Sequence, residues 1–117
     1  MISAFQSALT GLHAYATKLQ SNSNNIANAS TDGFKRTRVI LESTHPHGVK
    51  PQIEKVNTPG SKVYRDSTEK TALVELSNVD LGRELPEMQM NSQMYKANLK
   101  TIQTVDEMLG NLLKTRS

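Results

Sequence analysis

Three histidines, one short basic run and one acidic pair are the side chains best equipped for chemistry in this 117-residue chain. His45-Pro46-His47 sets two imidazoles either side of a proline, with no cysteine in the sequence and no carboxylate cluster beside them. Zinc takes three or four ligands converging on one point, so no metal site is expected. His13 reads as a surface or interface residue, and no serine, histidine and carboxylate can be matched as a nucleophilic set. Asp106-Glu107 is a carboxylate pair in a stretch of helical periodicity. Neighbouring residues on a helix diverge by about 100°, so the two do not converge on one substrate. The six glycines are scattered rather than gathered into a phosphate loop. No catalytic residue, cofactor or metal is expected.

Lys35-Arg36-Thr37-Arg38 has the chemistry to meet phosphate, and a pI of about 9.3 keeps a small nucleic-acid-binding module as an alternative. The distribution of charge argues against it. Residues 35–70 carry eight basic and four acidic groups without interleaved aromatics, and residues 71–117 carry five basic and six acidic. The excess is diffuse, which suits a solvated or subunit-facing cluster better than a phosphate track. A coiled-coil adaptor is the other alternative.

The remaining chemistry is that of amides and aliphatics, and helices must position it. Ile2, Phe5, Leu9, Leu12, Ala16, Leu19, Ser23 and Ile26 step by three and four. Leu85, Met88, Ser92, Tyr95, Leu99, Ile102, Asp106, Leu109 and Leu113 repeat the rhythm. Such spacing marks one face of a helix, and held over several heptads it marks a coiled-coil seam. The expected fold is therefore mainly α. Two long terminal helices pair as an antiparallel coiled coil, with a short irregular β-containing segment between them. The divisions are an N-terminal helix over 1–30, a turn and outer segment over 31–77, and a C-terminal helix over 78–117. Ser3 is the candidate cap of the first helix, which ends near Ala29 with Gly33 as the reversal residue.

Asn78 or Asp80 caps the second helix, and Glu84 and Glu87 complement the positive end of its dipole. Pro86 bends a helix that starts near Val79. Between the helices, Val39-Ile40-Leu41 reads as a short strand. Segments around Val49–Val56 and Lys62–Tyr64 read as a hairpin across Pro59-Gly60, or as mobile until partners order them. Ala72–Leu76 reads as extended.

Hydrophobic residues make up 36% of the chain and aromatics 4%, with no tryptophan. A chain so composed is short of core and relies on other subunits for burial. No apolar run approaches the roughly 20 residues that span a bilayer, so no membrane insertion is expected. No basic segment followed by an apolar one marks a cleaved leader. Met88, Met90, Met94 and Met108 either fill a core or let the second helix repack against non-identical neighbours.

Two strings go beyond pattern. They are NNIANASTDGFKR, from Asn24 to Arg36, and SNVDLGRELPEMQMNSQMYKANLKTIQTVDEML, from Ser77 to Leu109. With the opening SALTGLHAYATKLQSNSNNIANAS they resemble the two terminal signatures of the bacterial flagellar rod–hook axial proteins. Longer family members insert large β-rich domains between these ends. The short interval here, with GVKPQIEKV and KVYRD, looks most like the small proximal-rod branch of that family. Pro86 departs from the pattern, where an apolar helix former is usual.

The resemblance implies a structural subunit of the basal-body rod, exported without a cleaved signal through the flagellar type III apparatus. Such subunits build the periplasm-spanning drive shaft that transmits torque. Their partners would be other rod subunits, copies of itself, the export apparatus and basal-body ring components. The candidate subunit-interaction residues are Leu9, Leu12 and Leu19 on the first seam, and Tyr95, Leu99, Ile102 and Leu109 on the second. To these the signatures add Asn24, Asn25, Asn28, Gly33, Phe34, Asn78, Val79, Asp80 and Asn98. Asn24, Asn25, Asn28 and Asn98 are expected to bridge neighbouring helices through their amides; for Asn28 the alternative is that it merely ends its helix.

Overall fold

The computed structural model describes residues 2–116. Its elements are α1 (Ile2–Ala27), β1 (Thr37–Ser43), β2 (Val49–Lys55), β3 (Lys62–Asp66), β4 (Thr71–Glu75) and α2 (Leu81–Arg116). A mainly α chain with one short irregular segment is not what folds. The middle forms two separate two-stranded antiparallel sheets, β1–β2 and β3–β4. Alternation is the physical reason. Thr37, Val39 and Leu41 turn inward while Arg38, Ile40 and Glu42 face out, a period of two that belongs to a strand.

The pairing also differs from the one expected. β2 pairs with β1, from Thr37 opposite Lys55 to Ser43 opposite Val49, and not with β3. The connecting turn is His45–Gly48. The Thr44 amide donates to the Gly48 carbonyl across it, and Gly48 takes a φ of 106° that an L side chain rarely adopts. Pro59-Gly60 instead links the two sheets. β3 pairs with β4 around the turn at Ser67–Lys70, with Val63 opposite Val74 and Tyr64 opposite Leu73.

The helices run antiparallel. Asn25 meets Glu84 near one end of the pair, Asn22 meets Asn91, and Gly11 lies against Asn98 further along. A Cβ on Gly11 would come within 2.5 Å of Asn98 Oδ1, so the missing side chain permits this approach. Extrapolating that register, the last two turns of α2 run past the start of α1. The β1–β2 hairpin lies along α1, with the Val49 amide donating to Thr10 Oγ1 at 3.2 Å and His47 beside Gln6. The β3–β4 hairpin leaves the far end, and every residue of β3 is exposed.

Asp80 is the cap of α2. Its Oδ1 accepts from the Gly82 amide at 3.0 Å, and its carbonyl takes the first intrahelical bond, from Glu84 at 3.0 Å. Asn78 is committed elsewhere. Pro86 lies inside the helix, in its second turn. There it deletes the bond that the Gly82 carbonyl would otherwise accept.

The product is a rod of 81 × 24 × 18 Å with a radius of gyration of 20.8 Å. A compact chain of this length would have about 13 Å. Among the described residues the buried hydrophobic core is Ala8, Ala14 and Val105, and the largest fully buried side chains are Glu84 and Asn25. No helix of the described residues is long and apolar enough to cross a membrane.

Candidate subunit-interaction site

Two features stand out: a buried polar junction that joins α1, β1 and α2, and large apolar side chains left outside it. The junction starts from α1. Asn22 and Asn25 are three residues apart, on the face that also buries Ala8, Gly11 and Ala14. Small residues along this stripe bring α2 close, and the asparagines then meet it. Asn22 Nδ2 donates to Glu84 Oε2 at 2.8 Å. Asn91, two turns further along α2, donates its own amide to Asn22 Oδ1 at 2.7 Å.

Asn25 Nδ2 is shared between Glu84 Oε1 at 3.3 Å and the Thr37 carbonyl at 2.7 Å. The Thr37 amide returns a bond to Asn25 Oδ1 at 2.9 Å. One side chain thus copies the two-bond pairing of a strand and fastens β1 to α1. Glu84 is 2% exposed. It sits in the first turn of α2, where the helix dipole favours a carboxylate.

Arg36 completes the charge balance incompletely. Its Nε lies 3.9 Å from Glu84 Oε1, an ion pair too long for a hydrogen bond. Its Nη1 is buried with no acceptor among the described residues. An unsatisfied buried donor costs about 1–3 kcal/mol, more when charged. Arg36 borders a cavity of about 330 Å³ that Lys18, Asn22, Arg83, Glu84 and Met90 also line.

Asn78 is the second fastening. Its Oδ1 accepts from the Arg36 amide at 2.7 Å, and its Nδ2 donates to the carbonyls of Val56 and Thr58 at 2.8 and 3.0 Å. The Asn78 amide donates to the Phe34 carbonyl. Three chain segments are stapled by one side chain. Beside it, Lys35 pairs with Glu75, whose Oε1 also accepts from the Gly60 amide at 3.1 Å. The Lys35 ammonium first, and the Gly60 N–H second, hold the Glu75 carboxyl below the usual value of 4.5.

The other expected residues fall into groups. Asn24 and Asn28 bond to each other: Asn28 Nδ2 donates to the Asn24 carbonyl at 2.9 Å and to its Oδ1 at 3.2 Å. Within the chain they finish α1 and touch no other helix. Gly33, at φ 71°, makes the reversal there, and its amide donates to the Glu75 carbonyl at 2.8 Å. Phe34 and Val79 are half-buried. Asn98 donates within its own helix, to the Met94 carbonyl at 2.9 Å. Leu12, Leu19, Tyr95 and Ile102 are half-buried, while Leu9 at 43%, Leu99 and Leu109 are exposed.

The stripe of α1 packed on α2 thus runs through alanine, glycine and asparagine, one step round from the leucines. Asn22 and Asn91 escaped the sequence reading, which took Glu84 only as a complement to the helix dipole. The one available signal was the i, i+3 spacing of Asn22 and Asn25 in line with Ala8 and Gly11.

Outside the junction the surface is unusually apolar. Ile2, Leu85, Met90, Met94, Met108, Leu112 and Leu113 are all exposed, Leu113 at 71%. The accessible area is 8296 Å², against about 6,300 Å² for a compact monomer of this mass. The described residues hold no group of three or more metal-ligating side chains. His45 and His47 lie in the β1–β2 turn and His13 on the exposed side of α1.

Two family models match, one at each end. The model described as flagella basal body rod protein covers residues 5–35, hence most of α1 and its reversal. The one described as flagellar basal body rod FlgEFG protein C-terminal covers residues 71–115, hence β4 and α2. Between them they take in both halves of the polar junction: Asn22 and Asn25 in one match, Asn78, Glu84 and Asn91 in the other. Both describe structural components of the flagellar basal body that associate with other rod components, not enzymes. With one match at each end, in order over residues 5–35 and 71–115, the two models support a protein of the flagellar basal-body rod kind.

Proposed function

We propose that this chain is a subunit of the proximal rod, nearest in kind to FlgC, which polymerises into the periplasm-spanning drive shaft and passes torque along it. The observation that carries the proposal is the inversion of the usual order of burial. Amides and a carboxylate fill the interior, while Leu112, Leu113, Met90 and Met94 stand in water. Exposed apolar surface on this scale marks a protein–protein interface. The excess area over a compact monomer, about 2,000 Å², is that of a full-sized specific interface. Two small hairpins in place of a large outer domain favour the proximal part of the rod. Neighbours of unlike sequence suit the exposed methionines of α2, whose flexible side chains repack easily. In this reading the chain reaches its place through the flagellar type III apparatus, and its partners include copies of itself, other rod subunits and the basal-body rings.

The test is a Leu112→Ser, Leu113→Ser variant. Both positions are exposed, so stability of the dilute chain should change by no more than about 0.5 kcal/mol. Motility should be lost, and purified basal bodies should lack the chain. Full motility, with the variant absent from basal bodies, would sink the proposal.

A further inference from the structure

The two hairpins are anchored in different ways. β1–β2 lies along α1, bonded to Thr10 and fastened by Asn25. Among the described residues, neither β3 nor β4 packs against α1, α2, β1 or β2. Apart from the half-covered Val74 and Glu75, every residue of the two strands is exposed. Within the hairpin Tyr64 faces Leu73, Val63 faces Val74, and Thr71 Oγ1 donates to Asp66 Oδ1 at 2.7 Å. A two-stranded hairpin with nothing packed on it is marginally stable in water, and such elements open at little cost.

Its ties to the α1 side of the molecule come from one short stretch, residues 32–35. The Gly33 amide donates to the Glu75 carbonyl at 2.8 Å. Lys35 pairs with the Glu75 carboxylate and donates to the Thr58 carbonyl at 3.3 Å. Asp32 accepts from both ends of the Arg65 guanidinium, from Nη1 at 2.5 Å and from Nη2 at 3.3 Å. The base is a narrow neck. The Gly60 amide donates to Glu75 Oε1, the Leu76 amide to the Ser61 carbonyl, and a Cβ on Gly60 would collide with the Leu76 carbonyl oxygen. No helix or other sheet backs the hairpin, so these ties set where it points.

We propose that the β3–β4 hairpin is a hinged arm, latched to the reversal after α1 by two ion pairs, Lys35–Glu75 at its base and Asp32–Arg65 along its length. Breaking the latch lets the arm swing on its neck while the helix pair and β1–β2 keep their places. The Asp32–Arg65 pair is the weaker catch, since its side chains are 39% and 56% exposed and exposed pairs hold loosely.

The chain has no cysteine, so paired nitroxide labels can be placed at will. Gln20, Glu69 and Gln103 are exposed. Gln20→Cys with Glu69→Cys reports the arm against α1, and Gln20→Cys with Gln103→Cys reports the helix pair. Pulsed electron resonance on the dilute full-length chain should give one narrow distance for each. Lys35→Gln combined with Arg65→Gln should replace the narrow arm distance with a broad spread and leave the helix distance unchanged. Arg65→Asp should also broaden the arm distance, and Asp32→Arg in the same chain should narrow it again. A narrow arm distance in the Lys35→Gln, Arg65→Gln chain would overturn the latch, as would a broad one before any ion pair is removed. Broadening of the helix distance alongside the arm would overturn the hinge, because the ties would then hold the whole fold.

Discussion

Glu84→Gln is the sharpest probe of the junction, because it keeps the shape and removes only charge and one acceptor. Glu84 is 2% exposed and takes amide hydrogen bonds from Asn22 at 2.8 Å and Asn25 at 3.3 Å. A glutamine has one acceptor oxygen, so its NH₂ must point at one of the two donor amides. It also strips Arg36, whose side chain is 9% exposed, of the nearest negative charge. Breaking a buried ion pair by removing one partner costs about 3–5 kcal/mol. The 3.9 Å separation puts this pair at the low end, and the stranded amide adds about 1 kcal/mol. The expected loss is therefore about 3–4 kcal/mol, read by urea denaturation of the dilute full-length chain followed by far-ultraviolet circular dichroism. Thermal melting should show a fall of roughly 10 °C or more. Glu87→Gln is the control: it breaks an exposed pair with Arg83 and should cost no more than about 0.5 kcal/mol. If the two variants unfold at the same urea concentration, the junction is not what holds the helices in register.

The remaining predictions are more local. Asn25→Ala should destabilise the chain by about 2 kcal/mol, since it strands the Thr37 amide and carbonyl, whereas Asn28→Ala should cost under about 1 kcal/mol; equal effects in the same denaturation assay would refute the distinction. Gly11→Ala gains roughly 1 kcal/mol of helix propensity but must displace Asn98, so it should stabilise clearly only when combined with Asn98→Ala. Glu75 titrates below 4.5 in the folded chain because of Lys35 and Gly60. Its stabilisation is complete above 4.5 and lost as the pH falls through the lower folded value. Protection factors for amide exchange in β3–β4 should fall over that acid range, and Glu75→Gln should remove this loss of protection while lowering protection at neutral pH.

Much of the chain was legible as pattern, and its errors are instructive. The three-and-four spacing of Leu9, Leu12 and Leu19 locates a helix, but hydrophobicity alone does not say which face meets which partner. Here α2 packs against Ala8, Gly11 and Ala14, where small side chains allow close approach, and the leucines one step round are left half-covered or exposed. The strand near Val39 was visible, yet its partner was not. Pro59-Gly60 is a strong local turn signal, and the pairing is decided instead by the reversal at His45–Gly48 and by Thr10 and Gln6 of α1. Asn78 and Asp80 are alternative caps by sequence; Asp80 caps, while Asn78 bonds partners some twenty and forty residues away. Glu84 read as a complement to the helix dipole. Its burial depends on asparagines 62 and 59 residues distant in sequence, a relation no local window contains.

Among the described residues the apolar core is three residues, which bears on the subunit's lifetime. Ala8, Ala14 and Val105 give little resistance to opening, and native chains with small stability populate open forms that proteases cut. In the proposed role a docked copy would cover Leu109, Leu112 and Leu113, so the undocked copy is the one that offers them to proteases.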